Sequence, residues 1–312
     1  MKKNYNILGN RKIFLIIAAA VLLIGLLFNL IFGTKLDISF KGGTLLTYSY
    51  TGEIDADAVK DFASDTVGKD FSVNLSTSAD MTIIKLTLAD NLTLEESTKL
   101  QTALTEQFKA NELTDKGSNT LPPTMGKMFF VKCLVAIALA AVLLLVYIAF
   151  RFRKIGGWSA AVVAILALIH DMLVSYFAFI IFRIPLDANF VAVELTILGY
   201  SLNGTIVIFD RIRENRRIMD KKATISEVVN TSINQTMTRS INTTITTFLA
   251  VSVIGVIALI VNLDSLISLA LPMAIGILAG FYSSTFLSCS CWALWMEKRL
   301  AAGKSITGKK KK

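Results

Sequence analysis

The sequence holds one histidine, three cysteines and a modest 18% of charged residues, and each shortage removes a class of function. With His170 alone, no multi-histidine metal centre can be assembled. Cys133, Cys289 and Cys291 fall in apolar runs without metal-ligand spacing, so they read as small buried hydrophobes. Neither a zinc site nor a disulfide framework is expected of them. Phosphate-binding loops, nucleophile elbows and nucleophile–base pairs are missing as well. So is the interleaving of aromatic and basic residues that nucleic-acid binding uses. The expectation is a protein with no cofactor, no metal, no catalytic centre and no nucleic-acid partner.

What the sequence has in excess is apolar length. Of its 312 residues 54% are hydrophobic, too many for a soluble domain, which makes the chain a polytopic membrane protein. Its net charge of +9 is unevenly spread. Residues 34–127 hold 9 Lys/Arg against 14 Asp/Glu, whereas the remainder holds 23 against 9. The acidic stretch is one contiguous domain, and the basic remainder flanks membrane segments.

Six runs approach the length that crosses a bilayer, about 20 residues. They cover 13–32, 128–150, 158–182, 188–209, 240–261 and 266–295. The first is too long for a signal-peptide core, and its small residues Ala18–Ala20 sit mid-run, so an uncleaved span is expected. Residues 1–33 thus form an N-terminal segment with span one, 34–127 an outer domain, 128–295 spans two to six with a basic linker at 210–239, and 296–312 a basic tail. Within the outer domain, 44–50, 71–75 and 81–88 read as strands. Residues 55–64 and 94–111 read as helices. Basic residues number 4 before span one, 3 after span two, 6 between Arg211 and Lys222, and 7 in the tail. The short turns on the other side hold only Arg183. By the positive-inside rule both termini are cytoplasmic and the acidic domain is outside.

One pair of segments is unusually polar for membrane spans. Gly199-Tyr-Ser-Leu-Asn-Gly-Thr-Ile-Val-Ile-Phe-Asp-Arg-Ile-Arg-Glu-Asn215 is followed by Asn234-Gln-Thr-Met-Thr-Arg239. This signature resembles that of the SecF family, membrane subunits of the bacterial SecDF protein-export complex. Asp37-Ile-Ser-Phe-Lys-Gly-Gly-Thr44 and Pro122-Pro-Thr-Met-Gly-Lys127 resemble the family elements that bracket the outer domain. The resemblance implies a membrane all-α six-helix bundle of the SecD/SecF and resistance-nodulation-division kind, carrying one extracytoplasmic α+β domain. It also implies a transport subunit of the bacterial cell membrane that draws unfolded preproteins through the SecYEG channel with the proton motive force. SecD, SecYEG, SecA and YajC are the partners it implies. Two rival readings remain, an assembly partner of SecD without its own proton coupling and a solute exporter of the wider superfamily. The exporter would need a second repeat that six spans do not supply.

The candidate polar network comprises Arg239, Asp171, His170, Asn203, Thr205, Ser201 and Glu194. Ser201, Thr205, Thr243 and Thr244 serve equally well as interhelical hydrogen-bonding residues. By resemblance Arg239 faces intramembrane carboxylates on a proton path; by itself it reads as an interfacial arginine reaching for headgroups. His170-Asp171 matches a family dipeptide, and adjacent residues diverge by about 100° on a helix, so the two are not expected to face one partner. Gly204 stands where the family has an aspartate. Glu194 lies ten residues away, about 15 Å along a helix, and reads as an interfacial glutamate. The Gly276-x-x-x-Gly280 spacing permits close helix packing.

Overall fold

The computed structural model describes residues 5–78, 81–220, 222–261 and 263–303. The basic residues Lys2, Lys3 and Lys309–Lys312 lie outside them. In chain order, α1 (Arg11–Phe32) leads through the short α2 (Ile38–Lys41) into the outer domain. That domain comprises β1 (Gly43–Tyr50), α3 (Ala56–Val67), β2 (Phe71–Ser78), β3 (Met81–Leu88), α4 (Leu94–Gln107) and β4 (Thr114–Leu121). The bundle follows with α5 (Pro123–Arg151), α6 (Gly157–Ile181), α7 (Ala188–Ile218), α8 (Ile225–Ile260) and α9 (Asp264–Tyr282). A π-helical turn, Ser283–Ser288, joins α9 to α10 (Cys289–Ala301), so that the last span is one long rod. Among the described residues six rods are long and apolar enough to cross a membrane.

The outer domain is an antiparallel sheet in the order β2-β3-β1-β4, packed on α3 and α4. Period-two alternation sends Leu46, Tyr48 and Tyr50 of β1 and Ile84, Leu86 and Leu88 of β3 into one core. Leu100 and Leu104 meet them from α4, and Val59 and Ala63 from α3. The predicted strands and helices appear where the pattern put them. β4 did not announce itself: Thr114-Asp-Lys-Gly-Ser-Asn-Thr-Leu121 has no apolar side chain before Leu121, and this edge strand is almost wholly exposed.

Two close backbone approaches fix the domain on the bundle. Asp37 caps α2, accepting from Ser39 N at 2.9 Å, and Gly42 then turns the chain at φ +80. A β-carbon on Gly42 would collide with the backbone of Pro123, and one on Gly126 would lie 2.6 Å from Gly42 N. The entry to the domain and its exit are therefore pressed together, which only glycine permits. Asp37 N also donates to Leu186 O and Leu186 N to Lys35 O, tying the entry strand to the α6–α7 turn.

Burial ranks the rods. In the most apolar window of α6, 56% of residues are buried inside the protein, against 11% for α1 and 17% each for α5 and α8. α6, α7 and the last rod form the centre; α1, α5 and α8 surround it. The stretch read as a basic linker over 210–239 is built of the adjoining ends of two helices. α7 continues to Ile218, and α8 starts at Ile225 behind a capping box in which Thr224 Oγ1 accepts from Glu227 N at 3.2 Å.

Candidate functional site

The α6–α7 seam carries a buried polar cluster. α6 and α7 run antiparallel through the 182–187 turn, so residues four apart on one face the other helix as successive rungs. Asp171 and Ser175 share a face of α6; Glu194 and Ser201 share one of α7. Asp171 is wholly buried, and three polar side chains meet its carboxyl group. Ser201 Oγ donates to Oδ2 at 2.5 Å, Ser283 Oγ donates to the same oxygen at 2.6 Å, and His170 Nδ1 lies 3.1 Å from Oδ1. One rung further along, Ser175 Oγ and Glu194 Oε1 lie 2.5 Å apart.

Glu194, in the second turn of α7, is 1% exposed and turned into the protein rather than toward its surface. It faces α6 inside the protein, where Ser175 meets its Oε1. His170, also buried, turns its ring toward that of Tyr282 at 6.1 Å between centroids. The divergence expected between His170 and Asp171 is bridged by the hydrogen bond between their own side chains.

The last rod seals the cluster. A β-carbon on Gly276 would overlap Ile197, and one on Gly280 would lie 3.1 Å from Ser201 Cβ. The two glycines thus let α9 approach the seam at the level of the hydroxyls. The π turn begins at Ser283, the residue that reaches Asp171, and buries Ser283, Ser284, Thr285 and Ser288. π turns recur at functional positions because they shift the register of one face against the next.

The signature segment forms a second, separate polar system on the outer face of α7 and α8. Gly204 lies against Ser284: a β-carbon there would sit 2.8 Å from Ser284 Oγ. A cleft of about 50 Å³ between α7, α8 and the last rod is lined by Tyr200, Asn203, Gly204, Arg239, Thr243 and Ser284, among others. Tyr200 donates to Thr244 Oγ1 across it at 2.8 Å. Arg239 is exposed, also lines the wider groove toward Arg211 and Arg217, and makes no hydrogen bond or ion pair among the described residues. Asn203 and Thr243 are exposed too. Thr205 is buried, its hydroxyl without a partner among the described residues.

The charged end of the signature is a clasp. Asn215 Nδ2 donates to Gln235 Oε1 at 2.7 Å and to Ser232 Oγ at 2.9 Å. Arg211 Nε donates to the same Gln235 oxygen at 2.5 Å, and Arg151 pairs with Asp210 at 2.7 Å. Asn234 and Asn230 hold the backbone of Tyr5 and Ile7. Asn234 therefore ties α8 to the N-terminal segment, and Gln235 ties it to α7.

The structure brings together His170, Asp171, Ser201 and Glu194, and keeps Asn203, Gly204 and Arg239 apart from them. Ser175, Ser283, Ser284 and Tyr200 were not singled out from sequence. Ser175 alone left a signal, standing one turn after Asp171 on the same face.

Comparison with known proteins agrees with this architecture. Residues 99–298 match the family model described as protein export membrane protein SecD/SecF, C-terminal. The chain is 32% identical over 307 residues to the protein translocase subunit SecF of Alicyclobacillus acidocaldarius, covering 96% of both. It is 31% identical to the protein translocase subunit SecDF of Bacillus subtilis, covering 96% of this chain and 39% of that one. The crystal structure of SecDF from Thermus thermophilus, a translocon-associated membrane protein, superposes with a TM-score of 0.79 at 26% identity. The match covers 95% of this chain and 39% of that one.

Proposed function

The chain belongs to the SecF family of protein-export membrane proteins, and we propose that it serves as the SecF-type subunit of a SecDF complex that helps preproteins through the SecYEG channel under the proton motive force. It is a multi-pass membrane protein. In this reading the termini are cytoplasmic, where the basic residues concentrate, and the outer domain meets unfolded preprotein after SecA has pushed it across. The work is mechanical and no covalent step is assigned, so the chain is a translocation subunit rather than an enzyme.

The observation that carries the reading is the uncovered polar face of α7 and α8. Asn203, Arg239, Asn242, Thr243 and Thr246 are all exposed. Amide groups without partners in hydrocarbon cost roughly 1–3 kcal/mol each, and a charge costs more. A second membrane subunit must cover them. This chain matches 39% of the SecDF chain of Bacillus subtilis, and a SecD-type unit is the fitting occupant of that face. SecYEG, SecA and YajC would contact the assembled pair.

One observation favours a second reading, an assembly subunit without its own coupling: Ser284 occupies the space beside Gly204, where an acidic side chain would otherwise stand. Cross-linking tests the first reading at its root. With Asn203→Cys and Thr243→Cys, oxidation is expected to join this chain to the SecD-type chain. Cross-links only between two copies of this chain would overturn the reading in favour of a self-associating exporter.

A further inference from the structure

Phe209 ends the apolar run of α7 and Ser240 begins that of α8, so the residues just beyond them stand where hydrocarbon gives way to headgroups. There the two helices frame a groove of about 800 Å³, lined from Val207 to Ile218 on α7 and from Gln235 to Arg239 on α8. Four arginines, Arg211, Arg213, Arg217 and Arg239, line it against two acids, Asp210 and Glu214. Both acids are already taken. Asp210 holds Arg213 at 2.9 Å and Arg151, from α5, at 2.7 Å; Glu214 holds Arg211 at 2.5 Å. Arg217 and Arg239 are exposed, and their side chains have neither a hydrogen bond nor an ion pair among the described residues.

The depth of these two free groups points to their ligand. Arg239 stands one residue outside the apolar run of α8 and Arg217 eight outside that of α7, about 1.5 and 12 Å along the axes. A headgroup layer is about 5–8 Å deep on each side of a bilayer, so the two long side chains bracket the phosphate level from below and above. A planar guanidinium offers a phosphate paired N–H donors. A zwitterionic headgroup would bring its own cation against two unpaired arginines, whereas an acidic one brings none. We propose that this groove holds the headgroup of one acidic glycerophospholipid, its phosphate between Arg217 and Arg239. A free phosphate would meet the same donors, but the groove begins at Val207, inside the apolar run, where only a ligand with acyl chains gains from its position. Asn203 and Thr243 lie deeper on the same helices, on the surface assigned above to a second subunit. The lipid therefore sits at the rim of that interface, with Arg239 where the two meet. The site needs the membrane spans but not the export reading.

Any basic rim attracts acidic lipid loosely, and cations in the last turn of α7 also complement its dipole. The groove differs in predicting one retained lipid that depends on two particular side chains. Lys298 is the control, an exposed cation of the last rod whose side chain is likewise unpaired among the described residues. Native mass spectrometry of the purified full-length chain, without partner subunits, reads the site. With phosphatidylglycerol and phosphatidylcholine supplied in equal amounts, the wild type is expected to retain one phosphatidylglycerol in preference. Arg217→Gln and Arg239→Gln are each expected to weaken retention about fivefold, and each serves if the other folds poorly. Lys298→Gln is expected to leave it unchanged. Phosphatidylglycerol, and not inorganic phosphate, is expected to raise the melting temperature of the wild type. Equal retention of the two lipids, retention that survives both substitutions, or the same weakening in Lys298→Gln would overturn the site. Stabilisation by inorganic phosphate as large as that by phosphatidylglycerol would overturn the lipid as its ligand. Export activity plays no part in these outcomes, so failure of this site and failure of the export reading are told apart.

Discussion

Gly204 and Ser284 share one space: a β-carbon on the glycine would lie 2.8 Å from Ser284 Oγ and 3.3 Å from its Cβ. The departure of this chain from the family signature is thus matched by a side chain on the last rod. Restoring the acid alone overfills the site. Gly204→Asp is expected to lower thermal stability by about 1–3 kcal/mol, the usual cost of overpacking. Adding Ser284→Gly is expected to recover most of that loss. Equal melting temperatures for the single and double variants would show that the two positions do not compete.

The glycines of α9 invite a similar test. A β-carbon on Gly276 would overlap Ile197 and lie 3.5 Å from Ser175 Cβ. Gly276→Ala should destabilise the bundle by about 1–3 kcal/mol, and Ile197→Val should relieve part of it. Thermal unfolding in detergent gives both values, and additive effects would contradict the contact.

Asp171 ties α6, α7 and the π turn through one carboxylate. Asp171→Ala leaves the hydroxyls of Ser201 and Ser283 buried without their acceptor, at about 1–3 kcal/mol for each unsatisfied group. Asp171→Asn keeps an acceptor and is expected to lose much less. Loss of the same size in both variants, measured by thermal unfolding, would mean that the charge itself holds the seam.

In the outer domain, the Thr93 backbone N–H and then the Lys69 ammonium hold the Glu96 carboxyl below the usual carboxylate range. Its folded value is depressed, so its contribution is present above the ordinary carboxylate pKa and fades as pH falls through the folded value. Amide exchange in the first turn of α4 should be faster in Glu96→Gln than in wild type at pH near 7, and the two should converge in acid. A difference that persists in acid would exclude the capping box as its source.

Much of this fold was legible before any coordinates. Apolar length gave the six spans, and alternation gave β1, β2 and β3, because each of those patterns records a buried face. β4 left no such record, since an exposed edge strand needs no apolar side. The extensions of α7 and α8 past the apolar runs were hidden for a related reason. Arg211, Asn215, Ser232 and Gln235 hold these helices together by polar contacts that hydropathy cannot see. At the site, spacing separated Glu194 from Gly204 but did not show that Glu194 turns into the protein. Its burial follows from Ser175 and Asp171 on a different helix, a tertiary fact that single-helix geometry does not contain.

The central claim, that this chain is a proton-driven SecF-type subunit, is tested most directly by preprotein translocation into vesicles holding the chain with its SecD-type partner. Wild type, Arg239→Ala and Gly204→Asp are compared with and without a proton gradient. The account predicts that the gradient stimulates the wild type and that Arg239→Ala abolishes the stimulation. A wild type indifferent to the gradient, with a response only in Gly204→Asp, would contradict it and leave the chain as an assembly subunit.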